Sequence, residues 1–72
     1  MTEKEFQKMC KNIKDFREER GLSQGEISKI LNINRTVYNR YENGKRAIPI
    51  EILWQLADFY KISIDLLIGR ID

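Results

Sequence analysis

The stretch "NRTVYNRYENGKR", Asn34 to Arg46, packs three arginines, one lysine and three asparagines around two tyrosines and one glutamate. At about 100° per helical residue, Val37, Tyr38 and Tyr41 fall on one side of a helix. Arg35, Thr36, Asn39 and Arg40 fall on another. A face built from such heads, rather than from Glu–Lys pairs, suits base edges. Arginine can donate two hydrogen bonds to a guanine, asparagine can pair with an adenine edge, and a threonine can meet a thymine methyl or a phosphate.

The charge distribution points the same way. Net charge is only +2. Residues 1–33 carry +1, residues 34–46 carry +3 and residues 47–72 carry −2. The excess positive charge thus lies at and before the asparagine–arginine stretch, where an anionic polymer would feel it.

Other chemistry finds little support. The sequence holds one cysteine, Cys10, and no histidine. An internal disulfide is impossible, and a zinc site lacks ligands. Cys10 reads as a small buried hydrophobe. The commonest general base is missing, and 72 residues leave little room for an enclosed pocket. We therefore expect no enzyme activity, no cofactor, no metal and no small-molecule ligand. No apolar run approaches the roughly 20 residues of a membrane span. The N-terminus alternates charged with apolar residues instead of forming a signal peptide. The expectation is a cytoplasmic protein, a single domain over residues 1–72.

Helical periodicity runs through the chain, and strand alternation does not. A first helix is expected over about residues 3–20, opened by a Thr2–Glu5 capping box and closed by Gly21. Its apolar stripe is Phe6, Met9, Ile13 and Phe16. Ser23 should cap a second helix over about 24–31, with Ile27, Ile30 and Leu31 facing the core. Asn32–Ile33–Asn34 makes the turn, with Ile33 inward and Asn34 capping a third helix over about 35–43. Gly44 ends it, and a basic loop follows. Pro49 sits near the start of a fourth helix, which runs to about residue 60 and buries Ile50, Leu53, Leu56, Ala57 and Tyr60. Ser63 caps a last short helix over about 64–68, closed by Gly69. The fold class is all-α with five helices.

Two short helices joined by a tight turn, the second presenting Arg, Asn and Thr, form a helix-turn-helix pattern. "GLSQGEISKILNINRTVYNRYENGKR" resembles the DNA-binding core of the Cro/cI-like, or xenobiotic-response-element, regulators. "IPIEILWQLADFYKISIDLLIG" looks like the fourth and fifth helices of that lambda-repressor-like fold. The resemblance covers about residues 9–69 and implies roles residue by residue. Arg35, Thr36, Asn39 and Arg40 would read bases. Gln24 would contact phosphate and brace the recognition helix, and Asn34, Asn43, Lys45 and Arg46 would also contact phosphates. Arg17 and Glu42 stand where the family has a salt bridge between the first helix and the end of the third. Ser28 replaces the usual alanine, so its hydroxyl needs a carbonyl. Tyr38 replaces a smaller aliphatic, and Cys10 a frequent glycine.

Trp54, Phe59, Leu66 and Ile71 exceed what the core needs. About half are expected inside, and the group suggests a dimer interface. The leading expectation is a sequence-specific regulator, a repressor that binds a palindromic operator in double-stranded DNA as a homodimer. A protein-interaction module, such as an antitoxin or adaptor, is the alternative.

Overall fold

Thr2 opens the first helix by a reciprocal cap. Its hydroxyl accepts from the Glu5 amide at 3.1 Å, and the Glu5 carboxylate accepts from the Thr2 amide at 2.8 Å. The computed structural model describes residues 1–71. They form α1 (Glu3–Glu19), α2 (Gln24–Leu31), α3 (Arg35–Glu42), α4 (Ile50–Tyr60) and α5 (Ile64–Ile68), with no strand among the described residues. Ser23 and Glu26 repeat the reciprocal cap at α2. The Asn34 side chain accepts from the Thr36 amide at the head of α3, and the Ser63 hydroxyl accepts from the Leu66 amide at α5. Such a cap stabilises a helix by about 1 kcal/mol and also fixes where it starts. The first and third helices stop one residue short of expectation, because Arg20 and Asn43 serve as their C-caps.

The helices pack as a small bundle. α1 lies against α5 and α3, α2 against α3, and α4 meets both α5 and α2. Met9 and Ile13 of α1, Ile27 and Leu31 of α2, Tyr38 and Tyr41 of α3, and Leu53, Leu56 and Tyr60 of α4 meet in the centre. Leu67 closes the core from α5. Phe6, Phe16 and Ile33 pack against its edge. Cys10 is buried, and burial pushes its thiol up, away from nucleophilic chemistry. Gly44, at φ 68°, both turns the chain out of α3 and passes under α1. A Cβ there would stand 3.2 Å from the Gln7 amide and 3.4 Å from the Phe6 ring.

Three expectations about the core need correction. Ile30 is 46% exposed, while Ser28 is buried in its place. The two residues lie on opposite flanks of α2, so turning the small Ser28 toward the close α2–α3 contact turns Ile30 out. The Ser28 hydroxyl donates to the Gly25 carbonyl at 2.9 Å, which removes the cost of burying it. Ile50 is 61% exposed and Ile52 is buried instead. Ile50 is the first residue of α4, at the edge of a face centred on Leu53, Leu56 and Tyr60. Finally, none of Trp54, Phe59, Leu66 and Ile71 enters the core. Trp54 and Phe59 lie on the outer half of α4, Leu66 is half-buried and Ile71 exposed.

Two hydroxyls in this core, Tyr38 Oη and Tyr60 Oη, are buried without a hydrogen-bond partner. Burial pushes the Tyr60 phenol up to about 12, although the Arg20 guanidinium sits 4.5 Å from the ring centre and opposes the shift. An unpartnered buried hydroxyl costs about 1–3 kcal/mol. Tyr60→Phe keeps the ring and removes the orphan. The expected result is unchanged or raised stability, by up to about 1 kcal/mol, in urea unfolding. A clear loss would show that the hydroxyl has a partner in solution.

Candidate nucleic-acid interface

The site begins with a buried ion pair. Arg17 Nε donates to Glu42 Oε2 at 2.7 Å, and Arg17 Nη2 donates to Glu42 Oε1 at 3.0 Å. The third arm, Nη1, donates to the Leu22 carbonyl at 2.7 Å. The two side chains are only 9% and 1% exposed. α1, the α1–α2 turn and the end of α3 are therefore tied at one point. Burial alone would raise the Glu42 carboxyl, but hydrogen bonds from Arg17 and Gln24 and the Arg17 charge outweigh it, and the group is held below the usual carboxylate value. The Tyr38 phenol lies near enough to this carboxylate for burial and the negative charge together to keep it protonated.

Hydrogen bonds lead outward from the pair. Gln24 Nε2 donates to Glu42 Oε1 at 3.1 Å. Asn39 Nδ2 donates to Gln24 Oε1 at 2.9 Å. Asn43 Nδ2 donates to Asn39 Oδ1 at 3.1 Å. Gln24, at the start of α2, thus braces α3 at two positions while remaining half-buried at the surface.

Arg35, Thr36 and Arg40 stand exposed on the outer side of α3. Gln24, Arg35, Thr36 and Asn39 line a shallow depression of about 210 Å³. Asn39 differs from its neighbours, since it is half-buried and one end of its amide faces Gln24 while the other faces Asn43. Asn34 spends its carbonyl on the Thr36 amide at 2.7 Å. Lys45 and Arg46 are exposed in the turn that follows α3. Among the described residues no carboxylate lies within 4 Å of Arg35, Arg40, Lys45 or Arg46. Four unneutralised cations therefore share the end of the molecule that carries α3. By contrast Lys11, on α1, is paired with Asp15 at 2.7 Å.

The four apolar residues considered for a dimer divide between separate places. Trp54, 67% exposed, borders a depression with Ile50, Glu51 and Gln55. Phe59 lines the next one, with Ile30, Gln55 and Lys61. Leu66 and Ile71 flank Phe16 in a groove between α1 and α5.

The sequence that builds this site has counterparts among known proteins. A helix-turn-helix family profile matches residues 13–67. The chain belongs to that family, of the Cro/cI-like or xenobiotic-response-element type. It is 35% identical over 52 residues to the cryptic phage CTXphi transcriptional repressor RstR of Vibrio cholerae, covering 72% of this chain and 47% of that protein. It is 32% identical over 60 residues to the regulator ImmR of Bacillus subtilis, covering 83% and 47%. Antitoxin PezA of Streptococcus pneumoniae is 32% identical over 60 residues, covering 83% and 38%. The chain thus spans less than half the length of these relatives. No solved structure matches it. No helix among the described residues is long and apolar enough to cross a membrane.

The five expected helices, their caps and the Arg17–Glu42 pair are all present. What sequence reasoning missed is the bond from Asn39 to Gln24 and the half-burial of Asn39. The Asn39–Asn43 spacing of four was visible as a helical neighbour pair. The Gln24–Asn39 pair, fifteen positions apart, left no local signal.

Glu42→Ala should leave Arg17 buried and unpaired. The expected cost is about 3–5 kcal/mol, read as a lower unfolding midpoint. The same pair contributes to the acid response. Because the folded Glu42 carboxyl is held below its usual 4.5, its contribution to stability is complete above that value. It is lost as pH falls through the lowered folded value. With no histidine in the chain, stability should stay flat between about pH 6 and 8. Chemical denaturation across pH checks both arms.

Proposed function

We propose that this chain is the DNA-reading unit of a transcriptional repressor that occupies a two-fold operator as a homodimer. The observation that carries the reading is the row of Arg35, Thr36 and Arg40, exposed and unpaired on a helix whose position is fixed from below. An α-helix fits the major groove, and an arginine there discriminates a guanine by about 1–3 kcal/mol. In this reading Asn39 joins them at an adenine. Gln24, Asn34, Asn43, Lys45 and Arg46 hold phosphates on either side. Occupying an operator needs no further chemistry from these residues.

Size supports a pair of copies. One short recognition helix reads too few base pairs to define a site among the competing sequences of a genome. Two half-sites lie about 34 Å apart, and the molecule measures 29 × 25 × 20 Å, so neighbouring copies meet if each α3 sits a few ångströms outboard of its centre. Trp54 and Phe59 on α4, or Leu66 and Ile71 beside α5, would then be self-complementary.

Binding should weaken steeply with salt. With about four to six phosphates neutralised per dimer, log affinity should fall against log salt with a slope of about −4 to −5. Arg35→Ala or Arg40→Ala should cost about 1–3 kcal/mol and relax the preference at one base pair of each half-site. Lys45→Ala should weaken all sequences about equally. A flat salt response, or an unchanged preference after all four outer residues become alanine, would sink the reading.

Trp54→Ala and Ile71→Asp should each weaken self-association if their surface is the interface. The test is sedimentation at tens of micromolar with and without duplex. The second reading, an antitoxin-like partner of another protein, draws on the likeness to a protein named as an antitoxin and on the exposed Ile50 and Trp54 of α4. One copy per duplex at saturation, with both variants unaffected, would favour it.

A further inference from the structure

The hydrogen bonds that brace α3 run in one direction. Glu42, ionised by its two bonds from Arg17, can only accept. Gln24 must therefore turn Nε2 inward to it, which leaves Oε1 facing outward. That oxygen also can only accept, so Asn39 must turn Nδ2 toward it. The Asn39 oxygen is left on the opposite side, where it accepts from Asn43. The two ends of a side-chain amide are alike in shape, so an unanchored amide flips to suit its neighbours. Here a flip at Gln24 or Asn39 would bring two acceptors face to face. Water competes little at the inner end, because the Glu42 side chain is 1% exposed and Gln24 and Asn39 are half-buried.

Asn39 spends one N–H and one oxygen lone pair in this chain and keeps one of each. They are offered in a fixed order, nitrogen on the Gln24 side and oxygen on the Asn43 side. An adenine edge also offers one acceptor and one donor, N7 and N6, and their order across the groove reverses when the base pair is turned end for end. We propose that Glu42, acting through Gln24, is a specificity-determining positioning residue. Its buried charge sets the polarity of the Asn39 amide and so selects an A·T pair in one orientation over the same pair reversed. The inference rests on the reading of α3 as the base-reading helix. It adds that one preference is written by a residue that touches no DNA.

The test uses the full chain, a selected operator duplex and its single base-pair replacements, together with NMR of side-chain amides in the free protein. Gln24→Leu keeps the Arg17–Glu42 pair but cuts the chain. Preference between A·T and T·A at the Asn39 position should fall from about tenfold to less than about threefold, while positions read by Arg35 and Arg40 keep theirs. If Gln24 also holds a phosphate, removing its amide lowers affinity for all duplexes alike and leaves these ratios untouched. Gln24→Glu still accepts from Asn39 but sets two carboxylates face to face. Its unfolding midpoint should drop while the preference survives. A merely structural role would move stability and preference together, whereas these two variants move them apart. Glu42→Gln, which can turn either end to Gln24, should relax the preference as Gln24→Leu does. If it does not fold, the two Gln24 variants still decide.

In the free protein the Asn39 side-chain amide signals should shift in Gln24→Leu and stay in place in Gln24→Glu. A preference that persists in Gln24→Leu, or that falls in Gln24→Glu in step with stability, overturns the inference. The two levels of failure are distinguishable. If the amide signals respond as stated but the wild type binds every duplex equally, the DNA reading fails and this inference with it. If the wild type discriminates but the Asn39 signals ignore Gln24→Leu, only the relay is wrong.

Discussion

The Arg17–Glu42 contact is the constraint on which the rest of this small protein depends. Its chain is too short for a large core, and α2 and α3 have eight residues each. Helices of that length are not stable alone. Their direction must come from packing and from a few strong contacts. A two-armed guanidinium–carboxylate bond has a defined plane and a defined angle, which apolar packing lacks. With its third arm on the Leu22 carbonyl, Arg17 fixes the end of α3 and the start of α2 in one act. Such a pair contributes orientation more than net stability, since desolvating both groups offsets much of their attraction.

Much of this arrangement was legible in the sequence because its causes are local. Thr2, Ser23, Asn34 and Ser63 cap helices through side chains a few positions away, and such signals survive in any tertiary setting. Gly21, Gly44 and Gly69 all adopt the positive φ that their places after helices demand. Lys61, the C-cap of α4, adopts the same conformation at φ 59° without the residue type that announces it. The rotation of a helix about its own axis was the less legible quantity. Ile30 and Ile50 satisfy a periodic pattern as well as Ser28 and Ile52 do, and only the neighbouring helix decides between them. Arg17 and Glu42 were paired by resemblance to a family, since a separation of 25 positions carries no periodic signal. The resemblance implied that Gln24 braces the recognition helix, but its partner there, Asn39, was not legible.

The division of charge follows the same geometry. The stretch 34–46 carries a net charge of +3, whereas α4 and α5 carry Glu51, Asp58 and Asp65. A polyanion approaching this molecule is oriented before it makes contact, and close contacts need refine only a small angle. The exposed Ile50, Trp54 and Phe59 of α4 lie in this acidic part.

The inside–outside arrangement of α3 also bears on how the protein can change over generations. Arg35, Thr36 and Arg40 support no other part of the fold, and substitutions at such sites usually alter stability by no more than about 0.5 kcal/mol. A lineage can exchange them freely with its scaffold intact. Asn39 has no such freedom, because its replacement also disturbs Gln24 and Asn43. Three positions on the outer row of α3 are therefore open to drift, and a fourth is inherited with the architecture.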